Sequence, residues 1–208
     1  MELFDALNWR YAVKQFADKK LPADQVKSLV EAACLSASAY GLQPYSILIV
    51  ENPAIRQQLL RYSYGQDKVV NSSHLIVFAA HTELGDVTVD RYIEKLAKLH
   101  QLPLKALADY STYIKEDLAA KTPAELQQWA HQQAYIALGN LLTSAALMQI
   151  DSCPMTGFDN QGYDQVLKLK EKGLTSTVIC PVGYRSADDE QASKPKVRFG
   201  YDEMVLEV

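Results

Sequence analysis

The stretch "TPAELQQWAHQQAYIALGNLLTSAALMQ", residues 122–149, constrains this chain more than any other. Thr122 and Glu125 stand in the capping-box relation and Pro123 suits the first helical position, so a helix starts here. Its second half is apolar nearly all round, which predicts a fully buried helix. A monomer of 208 residues has little with which to enclose a helix on every side, so the same pattern points to a subunit interface. A membrane span is excluded, because Asn140, Thr143, Ser144 and Gln149 interrupt the roughly 20 apolar residues that one requires.

The elements around that helix alternate. "PADQVKSLVEAACLSAS" places Val26, Leu29, Val30, Ala33 and Cys34 at helical spacing after Pro22. "SILIV" (46–50) and "HLIVFAA" (74–80) are short apolar runs typical of buried strands, with a helix predicted between them after Asn52-Pro53. Residues 85–118 read as two peripheral amphipathic helices broken at Pro103. A strand near 152–156, a helix near 160–170, "STVICPVGY" as a buried strand and an extended tail follow. Strands alternating with helices give a three-layer α/β arrangement in one domain, residues 1–208.

Composition narrows the function. The net charge of −4 argues against nucleic acid as a partner, since such proteins show a basic stripe. No signal-peptide order opens the chain, and Cys34, Cys153 and Cys180 lie in apolar stretches without a CxxC, reading as small core residues in a reducing, cytoplasmic setting. The four histidines form no metal-ligand pattern, and His74, at the head of a strand, reads as a structural hydrogen-bonding residue. No nucleophile elbow, P-loop or dinucleotide fingerprint is present. The carboxylate pairs Asp86/Asp90 and Glu116/Asp117 read as solvated helix faces.

Against this acidic background two cationic pairs stand out. In "RYAVKQF" (10–16), Arg10 and Lys14 have no acidic partner one turn away; on a helix they would share a face at about 6 Å. In "SKPKVRFGYDE", Lys196 and Arg198 alternate, so an extended chain puts both on one side. Forked arginine donors and a mobile lysine charge together suit a phosphate. "LSASAYGLQPY" (35–45) adds a loop of small residues ending in Gln43, whose amide can meet a flat heterocycle, and "CPMTGFD" (153–159) reaches Gly157, where backbone can approach a ligand closely.

In this order the pieces resemble the FMN-dependent nitroreductase family, and most nearly its oxygen-insensitive NAD(P)H nitroreductases and dihydropteridine reductases. The resemblance covers the whole chain and is carried by "RYAVKQF", "QPYSILIV", "NSSHLIVF", "GNLLTSAALMQID", "GFD", "LKEKGLTSTVICPVGYRS" and "KPKVRF". It implies an α/β (α+β) three-layer fold with a mostly antiparallel central sheet flanked by helices, and the long helix at a homodimer interface with FMN between the subunits.

It also implies roles. Arg10, Lys196 and Arg198 would hold the FMN phosphate. Tyr11 and Ala12 would meet the cofactor through their backbone, and Lys14 would lie beside the flavin pyrimidine. Ser38, Ala39, Gly41 and Gln43 would come from the partner subunit. Thr156 and Gly157 would present backbone N–H to the reacting flavin nitrogen. Lys68 would sit near the nicotinamide channel and Tyr110 at its mouth. Three positions depart from the family pattern: Ala12 stands for a serine, Thr156 for a glutamate, and Gly65 for an asparagine whose place at the pyrimidine edge falls to Gln66. The implied reaction is hydride transfer from NAD(P)H to a nitroaromatic, quinone or pterin, the two substrates using one flavin face in turn.

Overall fold

The computed structural model describes residues 1–208. Helices α1 (Leu3–Trp9) and α2 (Ala23–Cys34) precede strand β1 (Tyr45–Val50). Then come α3 (Pro53–Leu60), α4 (Lys68–Asn71), β2 (His74–His81), α5 (Asp86–His100), α6 (Ala108–Ala119) and α7 (Pro123–Leu147). Strand β3 (Asp151–Ser152), α8 (Asn160–Val166), β4 (Leu174–Gly183) and α9 (Tyr201–Met204) complete the order. The sheet runs β1-β2-β4-β3 with every ladder antiparallel, so the expected α/β class and mostly antiparallel sheet are observed.

The apolar runs explain the layering. Successive residues of a strand face opposite ways, so Ile76 and Phe78 of β2 pack with α2 and α7, through Leu29, Ala33, Ala137 and Leu141. Leu75 and Val77 face the other layer and meet Leu59, Val69, Phe158 and Tyr163 from α3, α4, α8 and the loop before α8. Burial on both faces is why "HLIVFAA" lacks a polar alternation. α5 and α6 form an excursion with their own small core, Val89, Ile93, Ile114 and Leu118, and are tied by an ion pair between Lys115 and Asp90 at 2.6 Å.

α7 begins as expected, with Thr122 accepting from the Glu125 N–H and Glu125 accepting from the Thr122 N–H. It is not enclosed, however. Ala130, Ala134, Ala137, Leu141 and Ala145 face the core, whereas Tyr135, Ile136 and Leu147 are 43%, 48% and 41% exposed. One chain covers this helix on one side only, where the sheet, α2 and α1 pack against it.

Other expectations are corrected. The strand near 152–156 shrinks to β3 and an isolated bridge between Met155 and Ile179, since Pro154 cannot donate to a ladder. Cys153 and Cys180 are buried, but Cys34 is exposed because it ends α2. The tail is irregular over 194–200 and then turns into α9. His74 does make structural hydrogen bonds, with Ser73 Oγ at 2.9 Å and Glu51 at 3.4 Å.

Beneath α4 lies a buried cation that the sequence pattern does not announce. Arg56 donates from Nε to the Val69 carbonyl, from Nη1 to Ser73 and from Nη2 to both the carbonyl and the hydroxyl of Ser72. These bonds fix the turn from α4 into β2.

Candidate functional site

α1 stops at Trp9 because Arg10 leaves the helical region, with φ −70° and ψ 141°. Val13 and Phe16 are then drawn into the core. Residues 11–16 run extended against the sheet, Ala12 bridging to Ser152 in parallel and Phe16 to Arg185 in antiparallel. Arg10 and Lys14 therefore do not share a helical turn. The chain bends at Lys14 and Gln15, between the bridges at Ala12 and Phe16.

The tail returns to this segment and is fastened to it. Asp189, 4% exposed, accepts at Oδ2 from the Lys14 N–H (2.8 Å), the Gln15 N–H (3.2 Å) and the Tyr11 hydroxyl (3.0 Å), and at Oδ1 from the Gln191 N–H (3.1 Å). Burial alone would raise its pKa, but these donors hold it below the usual carboxylate range. Lys196 donates to the carbonyls of Leu7 and Arg10. Arg185, bound to Asp151 through Nε at 2.7 Å, stacks between the rings of Trp9 and Tyr11 at 4.1 and 4.6 Å. The sequence reading missed Asp189; its one local signal is the cap it supplies to the short turn Glu190–Ser193.

This fastening brings Arg10, Lys196 and Arg198 together. Burial and then the charge of Arg198 lower the pKa of Arg10. Burial, then Arg10, then Arg198 lower that of Lys196. No carboxylate pairs with any of them, and the buried Nε of Arg10 has no hydrogen-bond partner. Buried donors are nearly always satisfied, so a cluster of like charges with an orphaned guanidinium nitrogen is arranged for an external anion.

Next to it is a second group. Burial raises the pKa of the Cys153 thiol, while the charges of Lys68 from α4 and of Lys14 and Arg10 from the 10–16 segment pull it down, so cations from two segments act on this buried position. Lys68 Nζ donates to Gln66 Oε1 at 3.0 Å, and Gln66 Nε2 donates to the Gly157 carbonyl at 2.9 Å. Gln66 thus ties Lys68 to the Gly157 peptide and keeps one further N–H free for an outside acceptor. Thr156 and Gly157 are exposed, and the Gly157 N–H has no intrachain acceptor. A Cβ built on Gly157 would meet only Gln66 Nε2, at 3.8 Å, so the space above this peptide is open.

The 38–43 loop lies elsewhere. Ser38 Oγ accepts the Gln43 N–H at 3.0 Å, the Ala39 N–H donates to Gln133 at 2.8 Å, and the Gln43 amide donates to the Cys34 carbonyl at 2.8 Å. Gly41 has φ +75° and its missing Cβ would fall 2.9 Å from the Tyr92 ring. Gly41 and Gln43 line a cavity of about 990 Å³ with Tyr45, Ser46, His81 and Arg91, and none of the clustered cations lines it. Tyr110 neighbours Tyr92 on the α5–α6 excursion. Within one chain, therefore, Arg10, Lys14, Gln66, Lys68, Gly157, Lys196 and Arg198 are gathered around the extended 10–16 segment, while Ser38, Ala39, Gly41, Gln43 and Tyr110 are not.

Comparison with known proteins bears directly on this arrangement. The nitroreductase family model matches residues 7–184. YfkO of Bacillus subtilis is 32% identical, over 98% of this chain and 96% of that protein. The oxygen-insensitive NAD(P)H nitroreductase of Salmonella typhimurium is 28% identical over the full length of both. Among solved structures, an FMN complex from Exiguobacterium sibiricum superposes with a TM-score of 0.86 at 14% identity, covering 100% of this chain and 98% of that one.

Proposed function

The chain belongs to the nitroreductase family, and on that premise we propose that it is a homodimeric, FMN-dependent NAD(P)H oxidoreductase acting on nitroaromatics, quinones or pterins. The observation that carries the reading is the uncompensated cation cluster with its orphaned Arg10 Nε beside the open Gly157 peptide. These residues fit FMN: a phosphate at one end, and at the other a flat ring that approaches backbone without a side chain in the way. The FMN-bound structural relative and the name of the Salmonella relative support the same assignment.

When bound, the flavin supplies the capacity to accept and donate a hydride; the protein supplies position and charge. Arg10, Lys196 and Arg198 grip the phosphate. Tyr11 and Ala12 line the cofactor with backbone, and Lys14 provides a positive charge that favours added negative charge on the ring. Gly157, with Thr156 beside it, would offer its free N–H to the flavin ring. Lys68, tied to Gln66, sets a positive charge at the entrance for NAD(P)H. We take water as the source of the proton that the reduced product gains.

Because NAD(P)H and oxidant need the same open space, they occupy it in turn. Anaerobic NAD(P)H is expected to bleach the bound flavin, and double-reciprocal plots at several oxidant concentrations should be parallel. A flavin that NAD(P)H leaves coloured would reduce the protein to a flavin carrier; intersecting lines would mean both substrates bind together.

The dimer completes the site, with Ser38, Ala39, Gly41 and Gln43 of the second copy closing over the flavin and Tyr110 at the channel mouth. Support comes from apolar surface that one chain leaves bare: Tyr135, Ile136 and Leu147 on α7, Phe4 on α1 (77% exposed), and Phe199, Met204 and Leu206 on the tail. β1 also has an unpaired edge, which native sheets rarely leave open. An obligate interface of this kind buries upwards of roughly 2,000 Å². Ile136→Asp at its centre is expected to give monomers by light scattering that no longer hold FMN. A monomeric variant with full flavin content would remove the partner loop from the site.

A further inference from the structure

Asp189 stands behind the cation cluster rather than in it. All of its partners are N–H or O–H dipoles, none a charged side chain. Upstream, the chain is anchored by Arg185 on Asp151 and by the Ser186 N–H on the Gln15 carbonyl. From residue 187 to residue 200 the only hydrogen bonds that reach a distant part of the chain are those of Asp189 and Lys196; the rest are local to the turns. Asp189 grips residues 11, 14 and 15, and Lys196 grips residues 7 and 10. The segment bearing the cations is therefore bolted to the Arg10 segment at two points, and Asp189 is the bolt that carries no ligand-binding charge of its own.

We propose that Asp189 is the positioning residue of the anion site: it fixes the tail so that Lys196 and Arg198 face Arg10, without itself touching the bound phosphate. The proposal rests on reading that cluster as the FMN phosphate site. It makes a prediction whose sign separates it from simple electrostatics. A carboxylate near a phosphate repels it, so neutralising a bystander would tighten binding. Neutralising a bolt loosens it. Asn at this position keeps the volume but offers one acceptor oxygen, so either the Tyr11–Gln15 side or Gln191 loses its bond.

The test is binding of FMN and of riboflavin, which lacks the phosphate, to the apoprotein. Asp189→Asn is expected to weaken FMN by about tenfold or more, the scale of a lost hydrogen bond to a charged group, while riboflavin affinity changes much less. In a Lys196→Met/Arg198→Ala background, where both tail cations of the cluster are gone, the same substitution should leave FMN affinity nearly unchanged. Should Asp189→Asn not fold, Tyr11→Phe removes one donor, keeps the charge, and is expected to show the same selectivity for FMN over riboflavin. Tighter or unchanged FMN binding in Asp189→Asn overturns the proposal. So does an equal loss for FMN and riboflavin, or a full loss that persists without the tail cations. A wild-type apoprotein that takes up no FMN overturns the flavin reading itself, an outcome distinct from all of these.

Discussion

Replacing Arg10 and Arg198 together with alanine is expected to strip the protein of FMN while leaving it folded. Each guanidinium contributes charge-assisted hydrogen bonds of about 1.5–3 kcal/mol. Losing both sides of the grip should therefore cost on the order of two to four decades in affinity, and either single change one to two. The fold should persist because Arg198 is exposed and Arg10 forms no ion pair. Removing these charges even relieves repulsion among the three cations. Flavin content after gel filtration, read beside far-ultraviolet circular dichroism, decides the matter. Retention of flavin by the double variant would mean that the cluster serves some other anion.

The second large effect falls on stability. Arg56 is 3% exposed, and burial lowers its pKa with no carboxylate to compensate. Its charge is solvated by the carbonyls of Val69, Ser72 and Ser73 and by the Ser72 hydroxyl. Arg56→Ala takes the side-chain donor from the Val69 and Ser73 carbonyls, at about 1–3 kcal/mol for each left unpaired, while the Ser72 carbonyl keeps only Lys20. A loss of roughly 4 kcal/mol or more is expected, a large share of a typical 5–15 kcal/mol. For a chain of this size that lowers Tm by about 10 °C or more. Lysine should rescue little, since one ammonium on a flexible stem cannot reach acceptors spread as a guanidinium fork. A melting temperature unchanged to within about 2 °C would show that water can stand in for the side chain.

What could be read from the residues, and what could not, divides along physical lines. The start of α7 was legible because a capping box is a local device, satisfied among Thr122, Pro123 and Glu125. The buried strands β2 and β4 were legible from length and β-branching. The 10–16 segment was not, since a spacing of four fits both a helical period near 3.6 and a strand period of 2. Tertiary burial of Val13 and Phe16 settled what periodicity left open. The apolar girth of α7 announced burial but not by which surfaces, so one side of the helix stays bare in a single chain. Gln66 carried the right chemistry for an outside ligand, but its bonds to Lys68 and Gly157, the latter 91 positions away, had no local signal. Asp189 was the least visible. In "SADDEQAS" it looks like one more solvated acid, and only a bond to Tyr11, 178 positions away, reveals its place.

That separation has a consequence for how the protein is made. The two halves of the proposed phosphate grip are far apart along the polypeptide, and Asp189, Lys196 and Arg198 leave the ribosome long after Arg10 does. At about 5–20 residues per second, synthesis leaves Arg10 waiting roughly 10–35 s for them. The sheet faces the same delay on a smaller scale, since β2 emerges about a hundred residues ahead of its neighbour β4. A ribosome-bound chain can thus collapse around α2 and β1–β2 without being able to capture a cofactor. On the proposed site, flavin loading is expected to come late, and a nascent chain stalled before residue 189 should be recovered empty however much FMN surrounds it.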